Sequence, residues 1–580
     1  MGRIISSLLV LAGLAFATPG YAGSQNPCAR GTPGDEVTPP PDLFSSNGTL
    51  NVALNYYTTV GDTGLTLFCF QTADGAESPT LHVNPGDTII VSLTNMLPTV
   101  PGGGSEVMTN KSGVKCGARQ MTLTSTNMHF HGINASPRCH SDEVVRTLIN
   151  SGQTFQYKIK IPPNEPPGLY WYHPHIHGVS SPHVQGGASG AIVVEGIENL
   201  QPIVAGLPER LLVLRDQPLS AVIGTGGPNT SPGPAPFWDL SINYVPLIWP
   251  HYTPAVMKMQ AGKKEFWRIA NATANSILDL QLLYDGKAQP LQVVALDGVP
   301  TGSQDGKRQG TVITENHLLI PPGGRVEAVV TAPDSTVKQA ALITNHIDSG
   351  PAGDYLPARQ MAIVQTSAKA PHLRNMPAPS AAPRPQRFEE LAYAKVTAKR
   401  KLFFSEVFAQ NRRQPPQGKR RPEIEHMLFF ITVDGETPVL YDPNNPPSIT
   451  TTRGAVEDWI IENRTVELHE FHIHQIHFLL LEVNGKPVSK EARQFYDTYQ
   501  VPYWDGVSKK YPSIKVRMDF RGAVTGDFVY HCHILDHEDG GMMAIIRVLP
   551  KTVGSKAKYA ARVPQADSGG GGSRQARASR

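Results

Sequence analysis

Charged side chains are scarce in this 580-residue chain. Asp, Glu, Lys and Arg make up 17% of it, against roughly 25% in an ordinary soluble protein, and the formal net charge is only +3. So weak a field draws the chain onto neither nucleic acid nor an anionic bilayer, and no such partner is expected. Long apolar runs are missing as well. The stretch from Ile4 to Ala17 falls short of the roughly 20 residues that cross a bilayer, and no later one is long enough, so no membrane anchor is expected. Cysteines number five, the 13 methionines form no methionine-rich run, and sustained helical periodicity is rare.

The N-terminus and the cysteines bear on compartment. Arg3, the apolar stretch behind it, and small residues at Gly20 and Ala22 read as a signal peptide over 1–22, with no twin-arginine pair. A soluble protein exported to the periplasm or the medium is expected. Cys28, Cys69, Cys116 and Cys139 lie in the first quarter of the chain and can form two disulfides, in any of three pairings that the sequence leaves open. Cys532 is left over.

The chain holds 53 glycines and 51 prolines, a balance suited to short strands joined by turns. Thr88 to Leu93, Phe155 to Ile161, Ala191 to Val194 and Phe528 to His531 read as strands. Three blocks are expected, over 23–198, 205–366 and 389–555. Residues 367–388, with prolines at 371, 377, 379, 383 and 385, read as a semi-rigid connector across the surface, and 556–580 as a low-complexity tail. The basic stretch Lys395 to Arg421 reads as a solvated loop beside a hairpin.

Against this background the histidines stand out. Twelve of the 20 fall in four short segments: HFH from His129, HPHIH from His173, HEFHIHQIH from His469 and HCHILDH from His531. Such density in a nearly neutral chain is what metal ligation requires. On a strand, residues i and i+2 face the same side about 6.6 Å apart, so each His-x-His pair addresses neighbouring ions more readily than one. His129/His131, His173/His175, His472/His474 and His531/His533 supply eight imidazoles, enough for two or three ions with positions left open for substrate.

Cys532 sits between His531 and His533 and must face the opposite way. It addresses a separate centre, which gains His537, Met542 and, from another strand, His469. Two imidazoles, a thiolate and a weak thioether form the ligand set of a blue-copper electron-transfer site. Zinc, the other metal for His and Cys, has no redox chemistry and leaves eight histidines unexplained. The backbone of Cys532 also joins the two centres covalently.

HFHG at 129–132, YWYHPHIHG at 170–178, HEFHIHQIHF at 469–478 and HCHILDHEDGGMM at 531–543 closely resemble the four copper-binding motifs of the multicopper oxidases, the laccase-like group in particular. EFWRIANAT at 265–273 and LLIPPGGRVEAVV at 318–330 resemble the family's middle domain. The resemblance implies an all-β chain of three cupredoxin-like Greek-key β-sandwich domains holding four coppers. It implies a type 1 copper on His469, Cys532, His537 and axial Met542. The type 2 copper would take His129 and His472, and the type 3 pair His131, His173, His175, His474, His531 and His533. His177 and His477 lie outside that pattern and are read as orienting or packing residues. Glu538 and Asp142 match acids that laccase-like members carry in the proton path and near the type 2 copper. The segment before Asp142 departs from the family's glycine-rich pattern, with Cys139 and His140 in it.

The expected activity is one-electron oxidation of phenols or aromatic amines, coupled to four-electron reduction of O2 to water. A cuprous-ion oxidase serving copper tolerance is the alternative, disfavoured by the lack of a methionine-rich insert. A scaffold that had lost its metals would lack ligands, and all ten histidines and Cys532 are present. Copper storage would bind metal without turnover.

Overall fold

The computed structural model describes residues 26–99, 116–219, 235–303, 310–369, 372–380, 387–410 and 425–551. Residues 1–22, expected to be a signal peptide, the tail 556–580, residues 370, 371 and 381–386 of the connector and the tip of the basic stretch lie outside them.

The chain is all-β, with strands forming six sheets among the described residues. Alternation decides which face each strand buries. In Thr88–Asn95 the side chains of Ile89, Val91 and Leu93 are buried and those between them half-exposed. Each such burial contributes on the order of 1.5–3 kcal/mol.

The sheets stack in three pairs. In the first block, Thr66–Gln71, Thr49–Val60, Thr88–Asn95 and Thr154–Lys160 face a five-stranded sheet that includes Gly190–Val194, Gly168–His173 and His129–His131. Leu54, Val91, Ile159, Phe130 and Tyr172 fill the space between. The second block encloses Met257, Trp267 and Leu282, and the third encloses Trp459, Phe471 and Val516. In the third block, Ile449–Thr452, Met543–Leu549, Gly526–Cys532, His469–Ile473 and Thr498–Val501 make the five-stranded sheet.

The blocks touch pairwise. Trp171 and Val193 of the first pack on Val213 and Ala272 of the second. Val299 of the second packs on Phe388 at the end of the connector and on Leu479 of the third. Val145 of the first packs on Tyr441 and Val529 of the third. The five-stranded sheets of the first and third blocks therefore meet beside the second.

The disulfides are Cys28–Cys69 and Cys116–Cys139, and Cys532 is a buried free thiol. Two expectations need correction. Residues 398–410 of the basic stretch are not a loop: Ala398–Gln410 is a strand, antiparallel to Glu425–Val433 and parallel to Val456–Asn463, because Leu402 and Phe404 pack into the core. The connector also docks more closely than a surface spacer. Met376 is buried, and Arg374 pairs with Glu195 and Glu209, tying it to the first two blocks.

Candidate metal centres

Antiparallel pairing aligns the histidines. His129 stands opposite His173, and His472 opposite His531, so each five-stranded sheet offers two histidine pairs on one face. Ring centroids within the four His-x-His pairs are 5.5, 5.8, 5.1 and 5.5 Å apart in chain order. The two faces meet with His129 stacked on His474 at 3.8 Å and His131 on His472 at 4.1 Å. His175 Nε2 and His474 Nε2 lie 3.3 and 3.2 Å from His531 Nε2. All eight rings are buried.

The outward nitrogens of several rings have protein partners. His129 Nδ1 donates to Asp142 Oδ1 at 2.9 Å, His173 Nδ1 to the Pro174 carbonyl at 2.9 Å, and His531 Nδ1 to the Cys532 carbonyl at 2.8 Å. His472 Nδ1 donates to the Asp497 carbonyl at 2.8 Å, and His131 Nε2 lies 3.2 Å from Asp497 Oδ1. Other nitrogens have no hydrogen-bond partner among the described residues: Nε2 of His129, His173 and His472, Nδ1 of His131 and His474, and both of His533. A buried polar atom left unpaired is costly. Several converging in one place, each a lone-pair donor, fit metal ions. Burial and the neighbouring imidazoles keep these histidines well below their ordinary pKa, so they stay neutral as ligation requires.

The second site lies on the other side of the same strand. Cys532 Sγ is 3.6 Å from His469 Nδ1 and 3.8 Å from His537 Nδ1, and the two Nδ1 atoms are 3.0 Å apart. Met542 is buried in the same core, its backbone N–H bonded to the His537 carbonyl and its carbonyl accepting from the Cys532 N–H. Burial pushes the Cys532 thiol up, so a cation is needed to hold it as thiolate.

Two carboxylates at this site were not anticipated. Glu406 Oε1 lies 3.1 Å from His469 Nε2, which Thr465 Oγ1 also approaches at 2.9 Å, and Glu467 Oε1 lies 3.3 Å from His537 Nε2. Burial, with Glu406 beside it, pushes Glu467 up to about 9. Phe404 and Phe429 pack over the two rings.

Asp142 takes hydrogen bonds from His129, the Phe130 amide and Gln475, and burial still raises its pKa to about 8. Glu538 lies 3.6 Å from His175 Nδ1 and 3.3 Å from His531 Nδ1, and accepts from Ser180 Oγ at 3.2 Å. Burial holds it well above the usual carboxylate range. His177 packs on Tyr441, while His477 Nε2 donates to the Asp297 carbonyl at 2.7 Å. Arg325, Asp297 and Asp497 were also missed. No local spacing marks them, because their partners lie far along the chain, 28 residues apart for Arg325 and Asp297 and 172 for Arg325 and Asp497.

Fold and donors together define a class: an all-β metalloprotein with a buried multi-histidine site beside a His–Cys–His site. Family models for multicopper oxidases match residues 118–199 and 414–552, the segments that carry these donors. A multicopper oxidase of Staphylococcus aureus is 32% identical over 142 residues, 24% of this chain and 29% of that relative's length. The laccase of Bacillus subtilis is 22% identical over 498 residues, covering 80% of this chain and 87% of its own. The crystal structure of the Aquifex aeolicus multicopper oxidase McoA superposes with a TM-score of 0.61 at 20% identity, over 89% of this chain and 99% of that one. Both donor segments are thus similar to those of multicopper oxidases, a likeness that implies copper as the metal.

Proposed function

We propose that the protein is a laccase-like oxidase that takes single electrons from phenols or aromatic amines and reduces O2 to two waters with four electrons and four protons. The observation that carries this reading is Cys532 in the His469–His537 site, its two chain neighbours pointing into the eight-histidine site.

His469, Cys532, His537 and Met542 would hold a type 1 copper. His129 and His472 would hold a type 2 copper, and His131, His173, His175, His474, His531 and His533 a type 3 pair. Copper there would accept electrons one at a time and deliver four to O2. The protein's share is positional. Asp142 keeps the proton on His129 Nδ1 and so leaves Nε2 with its lone pair. Glu538, protonated by burial and seated between His175 and His531, supplies a proton at the oxygen side, and Ser180 fixes its carboxyl. Burial of all eight rings excludes bulk water from O2 reduction.

A second reading, oxidation of cuprous ion, gains support from Glu406 and Glu467, whose carboxylates flank the outer nitrogens of His469 and His537. Glu406, held below the usual carboxylate range by the His469 hydrogen bond that outweighs its burial, carries the negative charge that gives a cationic donor a favourable approach.

Copper counting with absorption and spin-resonance spectra tests the assignment: four coppers per chain and a blue band are expected, and a colourless protein holding fewer overturns it. Oxygen uptake compared between a phenol and Cu(I) separates the two donors. Turnover on Cu(I) alone would put cuprous-ion oxidation ahead of phenol oxidation, and copper without turnover would mean storage.

A further inference from the structure

The middle block contributes no residue to either donor set, yet one of its side chains reaches the eight-histidine site. Every N–H of the Arg325 guanidinium has an acceptor. Nε donates to the Leu169 carbonyl at 3.2 Å, on the strand that carries His173. Nη1 donates to the Gly323 carbonyl at 2.9 Å and to Asp497 Oδ1 at 2.7 Å. Nη2 donates to the Asp297 carbonyl at 3.0 Å and to Asp497 Oδ2 at 2.6 Å. One buried side chain thus ties together residues of all three blocks.

Its main partner, Asp497, reaches two histidines by different atoms. The carboxylate lies 3.2 Å from His131 Nε2 in the first block, and the backbone carbonyl accepts from His472 Nδ1 at 2.8 Å in the third. Asp297 fixes Asp497 from the other end, its Oδ2 accepting the Asp497 amide at 3.1 Å and its Oδ1 the Arg325 amide at 2.8 Å. The nitrogens on the far sides of the two rings, His131 Nδ1 and His472 Nε2, are the unpartnered ones. The chain also keeps room for this cluster. At Gly132, with φ +86°, a Cβ would come within 2.5 Å of Arg325 Nη2 and 2.7 Å of Asp497 Oδ2.

Resting on the copper assignment above, we propose that Arg325 is a positioning residue of the three-copper site, acting through Asp497 to hold His131 and His472 with Nδ1 and Nε2 respectively turned to the metal. The ligand-free block is thereby a working part of the site. A bidentate guanidinium fixes both the place and the plane of the Asp497 carboxylate, which a point charge cannot do. Without it, a buried carboxylate loses its counter-charge and leaves its position, His131 loses the acceptor that sets its tautomer, and the Asp497 backbone whose carbonyl holds His472 loses an anchor.

The test compares the copper-loaded full chain with Arg325→Met, Arg325→Lys and, as a control, Arg268→Met, another buried arginine of the middle block, paired with Glu209 and Glu327. Copper per chain, blue absorption and the spin-resonance signature are read after challenge with a chelator. Arg325→Met is expected to keep the blue signature and to bind trinuclear copper 10–100-fold more weakly, falling toward one copper per chain. Arg325→Lys, which keeps the charge and loses the fork, should show the same selective loss in smaller degree, and it serves if the Met variant does not fold. A wild-type trinuclear signature in the Arg325 variants overturns the proposal. So does loss of both signatures together, as in Arg268→Met, because Arg325 would then act only in folding. Fewer than four coppers in the wild-type chain would instead refute the copper assignment itself.

Discussion

Asp142 Oδ1 lies 2.9 Å from Nδ1 of His129 and accepts a hydrogen bond from it. The ring is thereby fixed with Nε2 free. Asp142→Asn can present its NH2 to the same nitrogen and favour the other tautomer. Weaker copper binding at that ring and a 10–100-fold drop in oxygen reduction are expected, with blue absorption retained. Unchanged turnover would remove the role.

Glu538→Gln keeps the shape of the side chain and removes its acid. Oxygen reduction should slow by about 10²-fold or more, while copper content and blue absorption stay as in wild type. Reoxidation kinetics of the fully reduced protein provide the measurement.

Glu406 lies against the outer nitrogen of His469. Glu406→Gln removes a negative charge beside a ligand of the mononuclear site, so the reduction potential measured there should rise. An unshifted potential would show that the carboxylate does not act through the ring.

Glu195, whose partners His82 and Arg374 belong to neither donor set, offers a pH test. Burial pushes its pKa up, but the His82 hydrogen bond and the charges of Arg374 and Arg268 prevail and bring it down to about 2. A carboxylate with a depressed folded pKa stabilises the fold above its unfolded value, near 4.5, and that stabilisation disappears as pH falls toward 2. Glu195→Gln should cost about 2 kcal/mol at neutral pH and almost nothing near pH 2. Denaturant unfolding across that range would show whether the gap closes.

The disulfide Cys28–Cys69 closes a separation of 41 residues. Replacing both cysteines with alanine should destabilise the first block by about 3–4 kcal/mol, read as a lower unfolding midpoint, with the blue absorption of the third block largely spared.

The donors that could be read from sequence are those whose geometry is local. His-x-His on a strand dictates a shared face, and the residue between must point away, so the separation of Cys532 from His531 and His533 followed from alternation alone. Asp497 and His131 stand 366 residues apart, and Glu406 and His469 stand 63 apart. Contacts at such distances depend on how blocks and sheets dock, which no spacing encodes. The disulfide pairing was open for the same reason. The lysines and arginines of the basic stretch read as a solvated loop, yet Leu402 and Phe404 between them alternate into the core and make it a strand.

The five sulfurs of cysteine need opposite fates. Four are joined in pairs, while Cys532 stays a free thiol buried in the third block. Chain order and packing keep them apart: the four partners lie in the first block, and once the third block packs, the Cys532 sulfur is out of an oxidant's reach. Refolding from the fully reduced, full-length chain forfeits that separation, and scrambled bridges involving Cys532 are the error to look for when recovery of blue protein is poor.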